Sequence, residues 1–179
     1  MNKKYFFLSL LMLCVYSILA QEKKAGPIIA DYGKVWQIQN QDYKIEKDAQ
    51  LKVVFDIMNS PEDTSALNRS IETAARFLNM HAQSGVSKEN MKVALVVHNK
   101  ASKDIITNKA YKKRYGVDNP NAEMVQQLMD AGVEFLFCGQ SSLSREFPIQ
   151  ETISGVQLSL SAMTALIQLQ NNGYRLIKF

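Results

Sequence analysis

The run Cys138-Gly139-Gln140-Ser141-Ser142 has the residue types of a thiol site. An apolar stretch, "VEFLF" (133–137), leads into the cysteine, and small or amide side chains follow it. Gly139 has no Cβ, so the chain there can turn sharply and approach a ligand closely. Residues 139–142 suit a tight turn whose backbone N–H groups converge. Such dipoles favour an anion at their focus and would lower the pKa of the thiol. A thiolate held this way could attack a sulfane sulfur or a disulfide, and the same cradle would stabilise a persulfide anion. The opposing reading is a small buried residue that finishes a strand, because free cysteine is among the most buried residue types.

His98 ends a second apolar run, "MKVALVVHN" (91–99). If the two runs are neighbouring strands, imidazole and thiol can meet across the strand ends. A nearby imidazolium favours thiolate, and histidine can shuttle the proton. The alternative is a histidine hydrogen-bonded to a loop backbone. His81 lies three residues after Leu78 on the apolar face of a helical pattern and reads as a satisfied core histidine.

Other chemistries find little support. A phosphatase-like loop needs five residues between cysteine and arginine; Arg145 follows Cys138 with six between, and Phe137 stands where those loops place a histidine. A dithiol site needs a second nearby cysteine. No glycine-rich phosphate loop is present, and His81, His98 and Cys138 offer no close pair of zinc ligands. No metal or cofactor is therefore expected. The basic cluster "KAYKKRYG" (109–116) could attract an anionic sulfur species or an acidic partner, but a solvated helix face is the default for such a run.

The elements that must position Cys138 and His98 alternate along the chain. "LKVVFDIMN" (51–59) is a β-branched, aromatic-rich strand ended by the turn cluster "SPED". Leu67, Ile71, Ala74, Ala75, Leu78 and Ala82 recur at spacings of three and four, which predicts an amphipathic helix from about Ser65 to Ala82. The run 91–99 is a second strand, and 101–116 reads as short helical pieces closed by Gly116. In 118–132, Asn119 is placed to cap a helix, Pro120 to open it and Gly132 to follow its end. Val125, Leu128 and Met129 form its inner face. "VEFLFC" (133–138) is the third strand, 149–153 a short helical turn, and "GVQLSL" (155–160) the fourth strand. Ser161 caps a helix that stops at Gly173, and "YRLIKF" (174–179) is the fifth strand.

This alternation predicts an α/β fold: a three-layer α/β/α sandwich around a mostly parallel five-stranded sheet. In such sheets ligands sit beyond the carboxyl ends of the strands, which is where His98 and Cys138 fall. Residues 21–50 are polar and mixed and read as an irregular N-terminal arm anchored by Trp36 and Tyr43.

The first twenty residues stand apart. "MNKK" is basic, "YFFLSLLMLCVYSIL" is unbroken apolar sequence, and Ala20 precedes the polar "QEKK". That is the pattern of a secretory signal peptide cleaved between Ala20 and Gln21. The apolar run falls short of the ~20 residues needed to span a bilayer, so no stable membrane span is expected after its removal. Losing Lys3 and Lys4 lowers the formal charge from +4 to +2. A near-neutral chain of this kind makes no electrostatic case for nucleic acid. It also leaves Cys138 as the sole cysteine of a periplasmic or secreted protein, where an unpaired thiol is either well buried or kept for reactivity.

Several motifs together carry a family likeness: "VEFLFCGQSS", "KVALVVHN", "YGVDNPNAEMVQQL", "GVQLSLSAMTALIQLQNNGYRLIKF", and further upstream "GPIIADYGKVW" and "NRSIETAARFLNMHAQSGV". From Gly26 to Phe179 the chain resembles the exported, single-domain branch of the DsrE/DsrF-like family. The resemblance implies an α/β/α sandwich with a parallel core, assembly into homo-oligomers, and sulfur-relay chemistry in which the strand-end cysteine, here Cys138, becomes persulfidated. His98 matches a recurrent family position. The sulfur donor and acceptor are not named by these residues. The rival expectation is a non-catalytic module of the same fold that binds a small ligand or serves assembly.

Overall fold

A computed structural model of the chain describes residues 22–178; the expected signal peptide and its cleavage point lie outside the described residues. Five strands, β1 (Leu51–Ile57), β2 (Met91–Val97), β3 (Glu134–Cys138), β4 (Gln157–Ser159) and β5 (Arg175–Ile177), form one sheet in the order β4-β3-β2-β1-β5. Every pairing is parallel. The helices are α1 (Arg69–Gln83), α2 (Asn108–Tyr115), α3 (Ala122–Asp130), α4 (Gly139–Ser144) and α5 (Ala162–Asn171), with 3-10 turns at Lys88–Asn90, Asn99–Ile105 and Ile149–Glu151.

The topology explains the layers. From β1 to β4 the chain steps across the sheet in one direction, and α5 then carries it back past β3, β2 and β1 to β5. Parallel crossovers are right-handed, so reversing the direction of travel puts the return helix on the opposite face. Helices α1, α2 and α3 accordingly pack on one face, over Val53, Phe55, Val93, Leu95, Phe135 and Phe137. Helix α5 packs on the other through Ala162, Ala165 and Leu169, over Val54, Ala94, Val96 and Cys138.

The boundaries shift for local reasons. Helix α1 starts at Arg69, later than the periodicity suggests, because Asn68 is the residue that caps it: its side-chain oxygen accepts from the N–H groups of Ser70 and Ile71. Helix α3 begins at Ala122 rather than at Pro120. Asn119, three residues before that start, does not cap it; its amide nitrogen donates to the carbonyls of Asp104 (3.0 Å) and Ile106 (2.7 Å). Its oxygen accepts instead from the N–H of Asn121. Ser161 does cap α5, accepting from Thr164 N–H at 3.1 Å.

The N-terminal arm is irregular, with one antiparallel bridge between Lys24 and Val35. Trp36 and Tyr43 do not anchor it; both are exposed. The arm is held by buried Ile29 and Val35 and by Asn79 of α1, whose amide bonds the backbone of Ile29 in both directions at 2.9 Å. Gly33 sits so close to α1 that a Cβ there would lie 2.4 Å from the carbonyl carbon of Ala75. Only glycine permits that approach, and its φ of +69° is itself a conformation other residues resist.

A buried polar knot ties the loops at the carboxyl end of the sheet. Asp104 has no exposure and accepts from Asn68 Nδ2 (2.6 Å), Ser60 Oγ (3.0 Å) and Asn121 Nδ2 (3.2 Å), with Lys103 Nζ at 3.6 Å. Burial raises its pKa despite these partners. The knot joins the loop after β1, the turn after β2 and the start of α3, and so ties together the loops that frame the strand ends.

Candidate functional site at the end of strand β3

Cys138 is the last residue of β3 and the residue that precedes α4. The segment after it is therefore a short helix rather than the expected tight turn. The consequence for the sulfur is similar, since the first N–H groups of a helix have no intrahelical acceptor and point back along its axis. The groups that lower the Cys138 pKa are the N–H and hydroxyl of Ser141, the N–H of Ala162 and the N–H of Gln140. The Ala162 group belongs to the first residue of α5. Two helix N-termini thus converge on one thiol.

The electrostatic balance is a contest. Burial pushes the Cys138 pKa up, and it is the largest single influence; the donors from Ser141, Ala162 and Gln140 together outweigh it and leave the thiol below its ordinary value. The residue is only 4% exposed, lying between α4 and the start of α5.

Gly139 matters for packing, and its backbone angles are ones any residue adopts. A Cβ at this position would sit 2.7 Å from the carbonyl oxygen of Ser159, so the glycine lets α4 start flush against β4. Gln140 reaches the same neighbour region through its side chain, donating to the Leu160 carbonyl at 3.4 Å. Ser142 points away from the sulfur and donates to the Phe147 carbonyl at 2.8 Å, closing the turn after α4.

The structure does not bring His98 and Cys138 into contact. Val97 pairs with Phe137 in the β2–β3 register, so the two residues follow side by side on neighbouring strands. The imidazole nevertheless turns the other way, placing Nε2 2.7 Å from Oδ1 of Asp56 on β1. Lys178 Nζ donates to the second Asp56 oxygen at 2.8 Å. Burial raises the Asp56 pKa most strongly, but the bonds from Lys178 and His98 prevail and hold it below the ordinary carboxylate range. A carboxylate offers an imidazole a far better acceptor than a thiol whose own lone pairs are already taken.

The link between the two strand ends runs one residue further on. Asn99, held in a left-handed conformation (φ 55°), donates its N–H to Ser141 Oγ at 3.0 Å, and its side-chain oxygen accepts from Arg145. Ser141 Oγ thereby accepts from the start of the turn after β2 and acts on Cys138 through its hydroxyl. Residues Asn99, Ala162, Asp56 and Lys178 were not singled out by sequence reasoning. The capping Ser161 marks where α5 starts, but not that its first N–H faces Cys138.

The remaining candidates are structural. His81 stacks on Phe77 with ring centroids 4.1 Å apart and bonds the Phe77 carbonyl through Nδ1 at 2.8 Å. In the basic cluster Lys109, Lys112 and Lys113 are exposed, while Arg114 folds back to pair with Glu151 and to donate to the Glu146 carbonyl. Among the described residues no group of three or more His, Cys, Asp or Glu side chains is placed to hold a metal ion. No helix there is long and apolar enough to cross a membrane.

The fold is an all-parallel α/β sheet with Cys138, the one cysteine among the described residues, at a strand's carboxyl end. A model of the DsrE/DsrF-like family matches residues 52–179, and the chain belongs to that family. Among solved structures it resembles MTH1491, a protein of unknown function from Methanobacterium thermoautotrophicum, and the ychN protein of E. coli. Each likeness has a TM-score of 0.53 at 17% identity and covers 72% of this chain and 99% of the other. These likenesses are of fold. No curated protein matches the chain.

Proposed function

We propose that the protein is a sulfur carrier of sulfurtransferase type in which Cys138 is the persulfide site. The family is generally linked to sulfur relay, and the observation that carries the reading here is the set of donors from two helix N-termini facing a single thiol of lowered pKa. In the reaction, the Cys138 thiolate attacks the sulfane sulfur of a donor such as a persulfide or thiosulfate. A new S–S bond forms at Sγ, and the bond from that sulfur to the donor breaks, its electron pair leaving with a thiolate or sulfite. No external oxidant is consumed. The product persulfide is an anion at neutral pH, and the donors of Ser141, Gln140 and Ala162 hold it.

In this reading the protein works in the periplasm or outside the cell, on the strength of the leader-like residues 1–20, and as a homo-oligomer. Exposed Leu143, Leu160, Met163 and Ile167 on and beside α4 and α5 support the latter, being large apolar side chains on the thinner face of the sheet. His98 acts on protonation only by exchanging its Asp56 bond for one with the site.

The test is direct. The protein is incubated with thiosulfate or polysulfide and its intact mass measured; Cys138 is expected to gain one sulfur atom, and Cys138→Ser none. A wild-type protein that stays unmodified while its thiol remains open to alkylation would sink the proposal. The 4% exposure of Cys138 favours one rival, a non-catalytic module whose thiol is packing. It predicts that native Cys138 resists alkylation and reacts only on unfolding.

A further inference from the structure

On the face opposite Cys138, strand β5 extends the sheet one strand beyond the reach of α1. The register places Arg175 beside Val53 and Ile177 beside Phe55, so both β5 side chains point to the α1 face. No helix covers them. The result is a groove of about 900 Å³ between α1 and β5, within the range typical of small-molecule sites.

Its walls come from a second stripe of α1. Ile71, Ala74, Ala75 and Leu78 face the core, whereas Arg69, Thr73, Arg76, Phe77 and Met80 recur at spacings of three and four along the groove. The floor is apolar, with Val53, Ile57, Phe77, Met80 and Ile177 among its residues. The charges that line it are unequal. Lys52, Arg69, Arg76 and Arg175 are basic, and Asp56 is the single acid among the lining residues. Asp56 is already held by His98 and Lys178, and Arg69 pairs with Glu72. Arg76 on the helix wall and Arg175 on the strand wall make no ion pair with any described residue.

We infer that this groove binds a single-tailed amphiphilic anion, with its hydrocarbon chain on the apolar floor and its carboxylate or comparable headgroup between Arg76 and Arg175. A guanidinium presents paired N–H donors that match a carboxylate, and two of them on opposite walls fix its position. A neutral apolar ligand would leave both cations without use. A small inorganic anion would leave the floor exposed to water. The inference is independent of the persulfide reading, since groove and thiol lie on opposite faces of the sheet.

The probe is dodecanoate, kept below its micelle concentration and titrated by calorimetry with backbone-amide NMR to locate it. Saturable binding with shifts confined to α1, β1 and β5 is expected. Decanoate should bind more weakly by on the order of tenfold, the effect of two buried methylenes, and dodecanol by a similar factor for want of a charge. The double variant Arg76→Glu/Arg175→Glu should lose at least about tenfold, and Met80→Trp, which fills the groove, should abolish binding while both retain the wild-type fold by circular dichroism. Absence of saturable binding overturns the inference, as does binding indifferent to the charge reversal. So does a double variant that changes the sedimenting mass while the wild type ignores dodecanoate, because the groove then belongs to a second copy of the chain. Cys138→Ser should bind dodecanoate as the wild type does, so failure here leaves the sulfur chemistry standing.

Discussion

The two faces of the sheet are built for different ends. On the α1–α3 face, large side chains such as Phe135, Phe137, Leu95 and Tyr111 are fully buried, and the Asp104 knot crosslinks the loops above them. On the α5 face, one helix of ten residues covers small residues, Val54, Ala94 and Val96, and the thiol. Burial of apolar area is the main source of stability, so the first face holds the fold. The second face is thinner, which suits the proposed role of Cys138. In that proposal the sulfur would accept an atom from outside through this single-helix layer, and helix N-termini would supply charge stabilisation without a buried counter-ion to desolvate.

The contrast is sharpest in the cores. Phe135→Ala on the thick face is expected to cost about 3–5 kcal/mol, and Leu169→Ala under α5 nearer 2 kcal/mol, read by chemical denaturation. Equal losses would mean that the faces share the burden and that the comparison is wrong. Gly139→Ala comes next. Its Cβ would collide with the Ser159 carbonyl, so a loss of roughly 1–3 kcal/mol is expected from the forced shift. Because α4 must move to relieve the clash, native Cys138 should also alkylate faster; an unchanged rate with lost stability would separate the glycine's packing from the thiol's cover.

The smallest effect is a pH dependence. The folded state lowers the Cys138 pKa, so it releases the thiol proton more readily than the unfolded chain. The resulting stabilisation is present above the unfolded thiol's pKa and is lost as the pH falls through the lowered folded value. The stability gap between wild type and Cys138→Ser should therefore shift in favour of wild type as the pH rises through that window in thermal melts. A gap that is flat with pH would show that Cys138 is only packed.

Much of this arrangement is legible in the residues. The apolar runs and the three-and-four spacings locate all five strands and the principal helices: burial of β1 to β3 and of one helix face leaves a periodic trace, while the exposed β4 and β5 are found from their apolar residues and the alternation. Cys138 and His98 are placed correctly at strand ends. Helix starts are less legible: Asn119 reads as a cap but lies three residues before α3, whereas Asn68, which the spacing of apolar residues does not mark, caps α1. The arm misled for the same kind of reason. Trp36 and Tyr43 are the largest apolar surfaces in it, but Gly33 and Asn79 decide how the arm lies, through a close approach and a buried amide that carry no hydrophobic signal.

By itself, then, the sequence determined the alternation of strands and helices, the family, and a thiol at the carboxyl end of β3. Those depend on periodicity and on residue type, which are local properties. Only the tertiary structure decided what meets the thiol. Ala162 reaches it because a right-handed return crossover lays α5 on that face, and His98 is drawn off because Asp56 of β1 offers a charged acceptor 2.7 Å away. Both outcomes join residues from different strands and helices, and such pairings are set by sheet order and by competition between acceptors, neither of which leaves a mark along the chain.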